Sequence, residues 1–440
     1  LNRTVLILTA CALAFAGCAG TTPESELLGL PPLPSYLGTV AVAPGDSAIG
    51  FAEAVARVLA QDPALQAARH RVLAADAARV QAGTWTNPLL RAEAEGWGID
   101  HDGFDQSELT LSAAFPLDLV GKRGARVSVA QAQTNVQRSE YNETRRGAVS
   151  QVRSVVLSIR AEKERESLAA ERLSITEETA AAVSREVTAG KAAPLEQVRA
   201  EVIRESARTD LARARFALRQ SRLRLGSLLG WPTAEVDVTG ALRRGPVIPD
   251  RLMLGEELSR NPRRLAVLWS AESARRTERR VGREKWPDVE AEVGLRRFMD
   301  ENANAWVTGL SVGIPLWDRK AGASREAREL TKAADQDVTA VDRELQLSLA
   351  DLLTALEASQ ETLGQYQVNV LPRAQDALDL ARRGFEGGKF GYLDLLEAQR
   401  SLLDVKREYL EARISYDEAV GRLESLLGRE PGNGLLPETP

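Results

Sequence analysis

The strongest constraint in this sequence is that it contains one unit twice. Asp62-Pro63 and Asn261-Pro262 both read as helix starts, and the two prolines are 199 residues apart. Pro88 and Pro287 keep that offset of 199, as do Pro116 and Pro315 in Phe-Pro-Leu and Ile-Pro-Leu. One residue then drops out. Lys191 pairs with Lys389 and Gly230 with Gly428, both 198 apart. Five anchors on nearly one offset make the chain a tandem duplication, with repeats at 46–245 and 246–430. Each repeat reads helix, two strands, long helix, tight tip, long helix. Residues 125–187 carry no proline and residues 323–385 only Pro372, so each stretch reads as a single helix. At 1.5 Å per residue such a rod is roughly 100 Å long. No globular core buries a rod of that length, so it must pack laterally against other helices.

The last helix of the second repeat reads as a coiled coil. Leu395, Leu402, Tyr409, Tyr416 and Leu423 step by seven, with Ala398, Val405, Ala412, Ala419 and Leu426 interleaved. The matching helix of the first repeat has Gln197 and Arg204 at seam places and recovers at Leu211, Leu218 and Leu225.

Four shorter runs alternate apolar and polar residues, at 89–97, 107–116, 288–297 and 305–314. About ten residues is the length of a tilted membrane-spanning β-strand, although soluble half-buried hairpins alternate equally well. Glu93, Glu95, Glu108, Glu290 and Glu292 fall on the polar faces. Trp85, Trp97, Trp286, Trp306 and Trp317, five of the seven tryptophans, lie in or beside these runs, where aromatic girdles sit at a bilayer surface. If the strands span a bilayer, four of them cannot close a barrel, and unpaired edges are forbidden in lipid. A spanning sheet therefore requires at least two copies of the chain.

The N-terminus reads as an export signal. Arg3 precedes an apolar stretch too short to span a membrane, which ends Leu13-Ala-Phe-Ala-Gly-Cys18. That ending resembles a bacterial lipobox, so residues 1–17 are expected to be a signal peptide and Cys18 a lipidation site. Residues 18–45, rich in proline, read as a linker, and 431–440 as a tail. A net charge of −5 is unlike the basic balance of a nucleic-acid-binding protein. Two histidines, His70 on a helix surface and His101 in a loop between strands, and two cysteines leave little for a metal centre or a histidine-based triad. No phosphate-binding loop, triad or cofactor motif is present, so no metal, no cofactor and no enzymatic activity are expected.

The duplicated plan, the lipobox and the glycine-containing tips resemble the TolC family of bacterial outer membrane efflux proteins. The stretch that carries the resemblance best is Arg383-Gly-Phe-Glu-Gly-Gly-Lys-Phe-Gly-Tyr-Leu-Asp394-Leu-Leu-Glu397-Ala-Gln-Arg400, which is similar to the family's second periplasmic tip and following helix. Phe115-Pro-Leu-Asp-Leu-Val-Gly-Lys-Arg-Gly-Ala-Arg126 is similar to its heavy-metal efflux branch. The resemblance implies a mainly helical homotrimer. Its coiled-coil helices would form an α-barrel, and four strands per chain would contribute to a 12-stranded membrane β-barrel. It implies a lipid-anchored protein of the bacterial outer membrane that extends into the periplasm, as the exit duct of a tripartite efflux system. The partners implied are a periplasmic adaptor and an inner membrane pump of the RND type. Asp394 and Glu397 would ring the periplasmic aperture. The tips at 188–195 and 386–393 would dock the adaptor through Gly190, Lys191, Leu195, Gly388, Lys389 and Leu393. The five strand glutamates would face the lumen. A type I protein secretion conduit and a periplasmic coiled-coil scaffold with soluble hairpins stay open as alternatives.

Overall fold

The computed structural model describes residues 48–96, 106–242 and 251–428, without the side chains of 251–253. The signal peptide, Cys18, the linker, Trp97, His101 and the C-terminal tail lie outside the described residues. The first repeat contains α1 (Phe51–Gln61), α2 (Pro63–Ala82), β1 (Leu89–Glu95), β2 (Glu108–Leu117), α3 (Lys122–Thr188) and α4 (Pro194–Leu228). The second contains α5 (Arg251–Ser259), α6 (Pro262–Arg283), β3 (Val289–Phe298), β4 (Ala303–Val312), α7 (Ala321–Gln365), α8 (Leu371–Glu386) and α9 (Tyr392–Leu426). Two helices, not one, precede each strand pair. The aspartate and asparagine before the anchor prolines explain the break. Asp62 Oδ1 accepts from the Ala64 amide at 2.8 Å and Asn261 Oδ1 from the Arg263 amide at 2.9 Å, which starts a new helix with proline in its first turn.

The backbone repeats with the sequence. Gly190 and Gly388 both have a left-handed φ, at 72° and 69°, and so do Gly121 at 71° and Lys320 at 55°, one residue before each long helix. At the tips this left-handed residue closes the preceding helix. The amide of Lys191 bonds the Glu186 carbonyl at 2.9 Å, and that of Lys389 the Gly384 carbonyl at 2.8 Å.

Three expectations require correction. The second rod is not one helix, because a π turn at Tyr366–Val370 separates α7 from α8. Pro372 lies directly after it, cannot donate to the ladder, and would clash with an ordinary α-helical carbonyl four residues back. Strand boundaries shift by one or two residues, and β1 stops at Glu95 because Gly96 turns to φ 73°. The seam of α9 is real but too narrow. Leu395, Leu402, Tyr416 and Leu423 are buried, yet so are Gln399, Leu410, Ile414, Asp417 and Glu424, because α9 packs on α3, α7 and α8 together.

The four strands form one antiparallel sheet in the order β1-β2-β3-β4, so β2 and β3 join the two repeats. Among the described residues the outer edges of β1 and β4 have no strand partner. α3 lies at the centre of the helical packing, against α2, α4, α6 and α9. The apolar clusters sit between helices along the rods. One joins Leu254 of α5 and Leu356 of α7 to Tyr416, Val420 and Leu423 of α9. Another joins Ala161 of α3 and Leu242 to Leu410 and Ile414 of α9.

Candidate functional site

The sheet is apolar outside and polar inside, the reverse of a soluble one. Its register places Leu295 opposite Trp306 and Ala291 opposite Leu310, and Ala92 opposite Leu111. That face is open: Trp306 is 74% and Leu310 69% exposed. On the other face Thr110 and Ser112 are only 5% and 3% exposed. Water-exposed sheets bury the apolar face, since each large apolar side chain gains roughly 1.5–3 kcal/mol by burial. A sheet that leaves such a row uncovered has another solvent or another chain against it. Ten residues at ~3.3 Å rise, tilted ~40°, cover roughly 25 Å, the height of the apolar band of a membrane barrel. Trp85, Trp286 and Trp317 flank the helix-side strand ends and are all exposed. Among the described residues no helix is long and apolar enough to cross a membrane.

The five glutamates expected on the polar face share it: Glu93 and Glu95 on β1, Glu108 on β2, Glu290 and Glu292 on β3. Two arginines lie among them, Arg91, which alternation places on this face, and Arg296, which was not singled out from sequence. Arg296 Nη1 lies 2.8 Å from Glu108 Oε2, and Arg296 Nε donates to Thr110 Oγ1 at 2.9 Å. Arg91 lies 3.5 Å from Glu93 and 3.6 Å from Glu292. Alternation already put Arg91 on this face, and Arg296 is six residues beyond Glu290 and so equally readable. Five carboxylates against two guanidiniums leave the face acidic, less so than the glutamates alone.

At the other end of the rods the two tips of the chain pack on each other. Tyr392, at the start of α9, is buried against Ala180 and Val183 of α3 and Ala200 of α4. Burial, aided by the charge of Glu196, pushes its hydroxyl above the usual tyrosine range. Gln399 Nε2 donates to Thr179 Oγ1 at 2.7 Å in a buried bond between α9 and α3. Arg382–Glu178 at 3.1 Å and Lys406–Glu171 tie α8 and α9 to α3 as well. Neither Gln399 nor Tyr392 was singled out from sequence. Both sit just off the heptad seam, on the second buried face of α9.

Asp394 and Glu397 are exposed on one face of the first turns of α9. Asp394 Oδ2 accepts from the Gly391 amide at 2.8 Å, so this carboxylate closes the helix start. Gly190, Lys191, Leu195, Gly388, Lys389 and Leu393 are all exposed, with Leu195 and Leu393 inside α4 and α9 rather than in the loops. Phe390 folds back over Gly384. A Cβ there would meet the ring at 2.0 Å. Among the described residues no group of His, Cys, Asp and Glu side chains is arranged to hold a metal ion.

The pattern of the outer membrane efflux protein family matches residues 54–231 and again 253–429. The chain belongs to that family. Members of it are outer membrane channels, so this chain is an outer membrane efflux channel protein of mainly helical fold with a four-stranded antiparallel sheet. It is 32% identical over 328 residues to the cobalt-zinc-cadmium resistance protein CzcC of Cupriavidus metallidurans, covering 73% of this chain and 77% of that one. It is 28% identical to the nickel and cobalt resistance protein CnrC of the same organism, over 70% of this chain and 73% of that one. Its fold matches the outer membrane protein VceC of Vibrio cholerae with a TM-score of 0.72 at 20% identity, over 86% of this chain and 96% of that one.

Proposed function

We propose that three copies of this chain close one 12-stranded barrel, and that the assembly is the passive exit duct through which a tripartite system expels metal cations. The observation that carries the barrel is the inverted sheet with two unpaired edges. Backbone groups without partners are not tolerated in lipid, and four strands are half the smallest common barrel. The acidic inner face favours cations over anions, and the resistance of the CzcC and CnrC systems to divalent metals points the same way. Export energy then comes from an inner membrane pump of the RND type, joined through a periplasmic adaptor that docks on the exposed tips around Gly190, Lys191, Leu195, Gly388, Lys389 and Leu393. Cys18 carries the lipid anchor. The repeats 46–245 and 246–430 are the duplicated halves of each subunit, and the protein is not an enzyme.

The test is reconstitution of the full chain in planar bilayers. Cation-selective single-channel steps from a detergent-stable trimer are expected. A monomer that passes no current ends the proposal. Asp394 and Glu397 are assigned to the aperture, where threefold symmetry gathers six carboxylates. Replacing both by Ala should raise conductance and weaken block by multivalent cations. The capping bond of Asp394 alone predicts a small loss of stability, about 1 kcal/mol, with conductance and block unchanged.

A further inference from the structure

The junction between the helices and the sheet carries more cations than its carboxylates can pair. Four helix ends meet there. Arg123 Nη1 donates to the Gly83 carbonyl at 2.8 Å, which ties α3 to the end of α2. Arg283 Nη1 donates to the Gly121 carbonyl at 2.8 Å, and Arg328 lies 3.6 Å from Glu278, which ties α6 to α3 and α7. The acids of the junction are mostly used. Asp118 caps α3 through the Lys122 and Arg123 amides. Asp288 pairs with Lys122, Glu284 with Arg280 and Asp318 with Lys320. Arg126, Lys285, Arg319 and Arg325 have no carboxylate within ion-pair distance among the described residues, and one acid, Glu326, is likewise unmatched.

These cations are not scattered. Arg126 and Arg325 are 199 apart, the same position in the two repeats, one turn into each long helix. Arg126 lines a polar pocket of about 520 Å³ with Gln81, Thr84, Trp85, Thr86 and Asn87. The Trp85 ring is 64% exposed and lies 4.4 Å from the Arg123 guanidinium. Directly beyond the pocket begins the open apolar face, with Leu90, which is 71% exposed. The pocket therefore combines a free guanidinium, hydroxyl and amide groups, an exposed indole, and an apolar surface on its sheet side.

We infer that this junction binds the phosphodiester headgroups of anionic phospholipids in the periplasmic leaflet, with the Arg126 pocket as one site and Arg325 as its counterpart in the second repeat. Guanidinium is suited to phosphate, and each basic group beside an anionic lipid surface contributes a factor of roughly five in affinity. Indole rings settle at the same depth. The apolar sheet face supplies the place for the acyl chains. This inference rests on the barrel reading above, because only a spanning sheet brings the junction to headgroup level.

Full-length protein in mild detergent, examined by native mass spectrometry with equal phosphatidylglycerol and phosphatidylcholine, should retain phosphatidylglycerol preferentially. The R126Q/R325Q double variant should lose that preference by about ten-fold or more, while its trimer and its conductance in phosphatidylcholine bilayers stay unchanged. A hundred-fold excess of inorganic phosphate should not displace the lipid. Displacement would mean a free-anion site and overturn the inference. So would equal retention of both lipids by a wild-type protein that conducts, or an unchanged preference in the double variant. A wild-type protein that neither inserts nor conducts sinks the barrel reading instead.

Discussion

The two long rods occupy the same place in their repeats and live in different surroundings. α3 runs unbroken for 67 residues and buries sixteen of them, among them Val152, Val156 and Ile159. α7 and α8 are separated by the π turn, and their buried residues are only Ala327, Leu345, Leu356, Ala374 and Ala381. Leu330 and Leu347 of α7, Val368 of the π turn and Leu380 of α8 are exposed. On the opposite flank of the packing, Val198, Val202 and Phe216 of α4 are exposed too. A duplication produces similar rods. In the proposed trimer a further copy of the chain would cover the second rod and the far side of α4. The chain thus has a finished interior on one rod and an unfinished margin on the other, which is the arrangement a closed ring of identical subunits requires.

The contrast is broken most severely by placing a charge on each rod in turn. Val152 of α3 is 0% exposed, and Val152→Asp leaves a carboxylate without a partner in an apolar environment. A loss of about 4 kcal/mol is expected, a large share of a typical stability of about 5–15 kcal/mol, seen as a much lower denaturation midpoint. Leu347 of α7 is 63% exposed in the single chain. Leu347→Asp should leave helix content by circular dichroism unchanged and remove the detergent-stable trimer. If Leu347→Asp trimers form normally, that face of α7 is not a margin between subunits.

Much of this difference could not be read in advance. The offset of 199 showed that two rods exist, and the heptads of α9 and the apolar rows of the strands showed which faces are buried or greasy. Periodicity does not say how many neighbours a helix has, so the second buried face of α9, with Gln399, Asp417 and Glu424, stayed hidden. Pro372 was visible, but whether a proline bends a helix, ends it or widens one turn depends on the packing around it. The acids of the sheet were legible because they alternate. Their arginine partners were legible as face residues, but which carboxylate each would meet follows from the strand register. The tips were clear as turns. That Tyr392 stitches the second tip onto the first is a contact between repeats, which no local pattern encodes.

Among the differences between the two tips is one coupled pair. The second tip has Gly384 and Phe390 where the first, 198 residues earlier, has Glu186 and Ala192. The backbone bond from the lysine amide closes each turn alike, and in the second tip the Phe390 amide also donates to the Gly384 carbonyl, at 3.2 Å. With alanine at 192 there is room for Glu186, whereas the Phe390 ring occupies the space of a Cβ at 384. Gly384→Ala gains helix propensity of up to about 1 kcal/mol and loses roughly 1–3 kcal/mol to overpacking. A net loss of about 1 kcal/mol is expected, seen as faster amide exchange at the end of α8. In a Phe390→Ala background the same substitution should become stabilising. An identical effect in both backgrounds would mean that Phe390 does not hold that position.

A smaller contrast lies in the helices before the strands. The first repeat has Leu73 where the second has Glu272. Glu272 Oε1 lies 2.8 Å from Arg276 and 3.1 Å from Arg279. The Arg276 hydrogen bond holds its carboxyl below the usual glutamate range, against a smaller opposing effect of burial. Because the folded value is depressed, the stabilisation is complete above the ordinary glutamate value, about 4.3, and disappears as pH falls through the folded value. Glu272→Gln should therefore cost up to about 1 kcal/mol at pH 7, partly screened by salt since the pair is near the surface. The gap between the two proteins should narrow progressively as pH falls below that ordinary value. An undiminished gap there would trace the effect to packing of the side chain against α6 rather than to its charge.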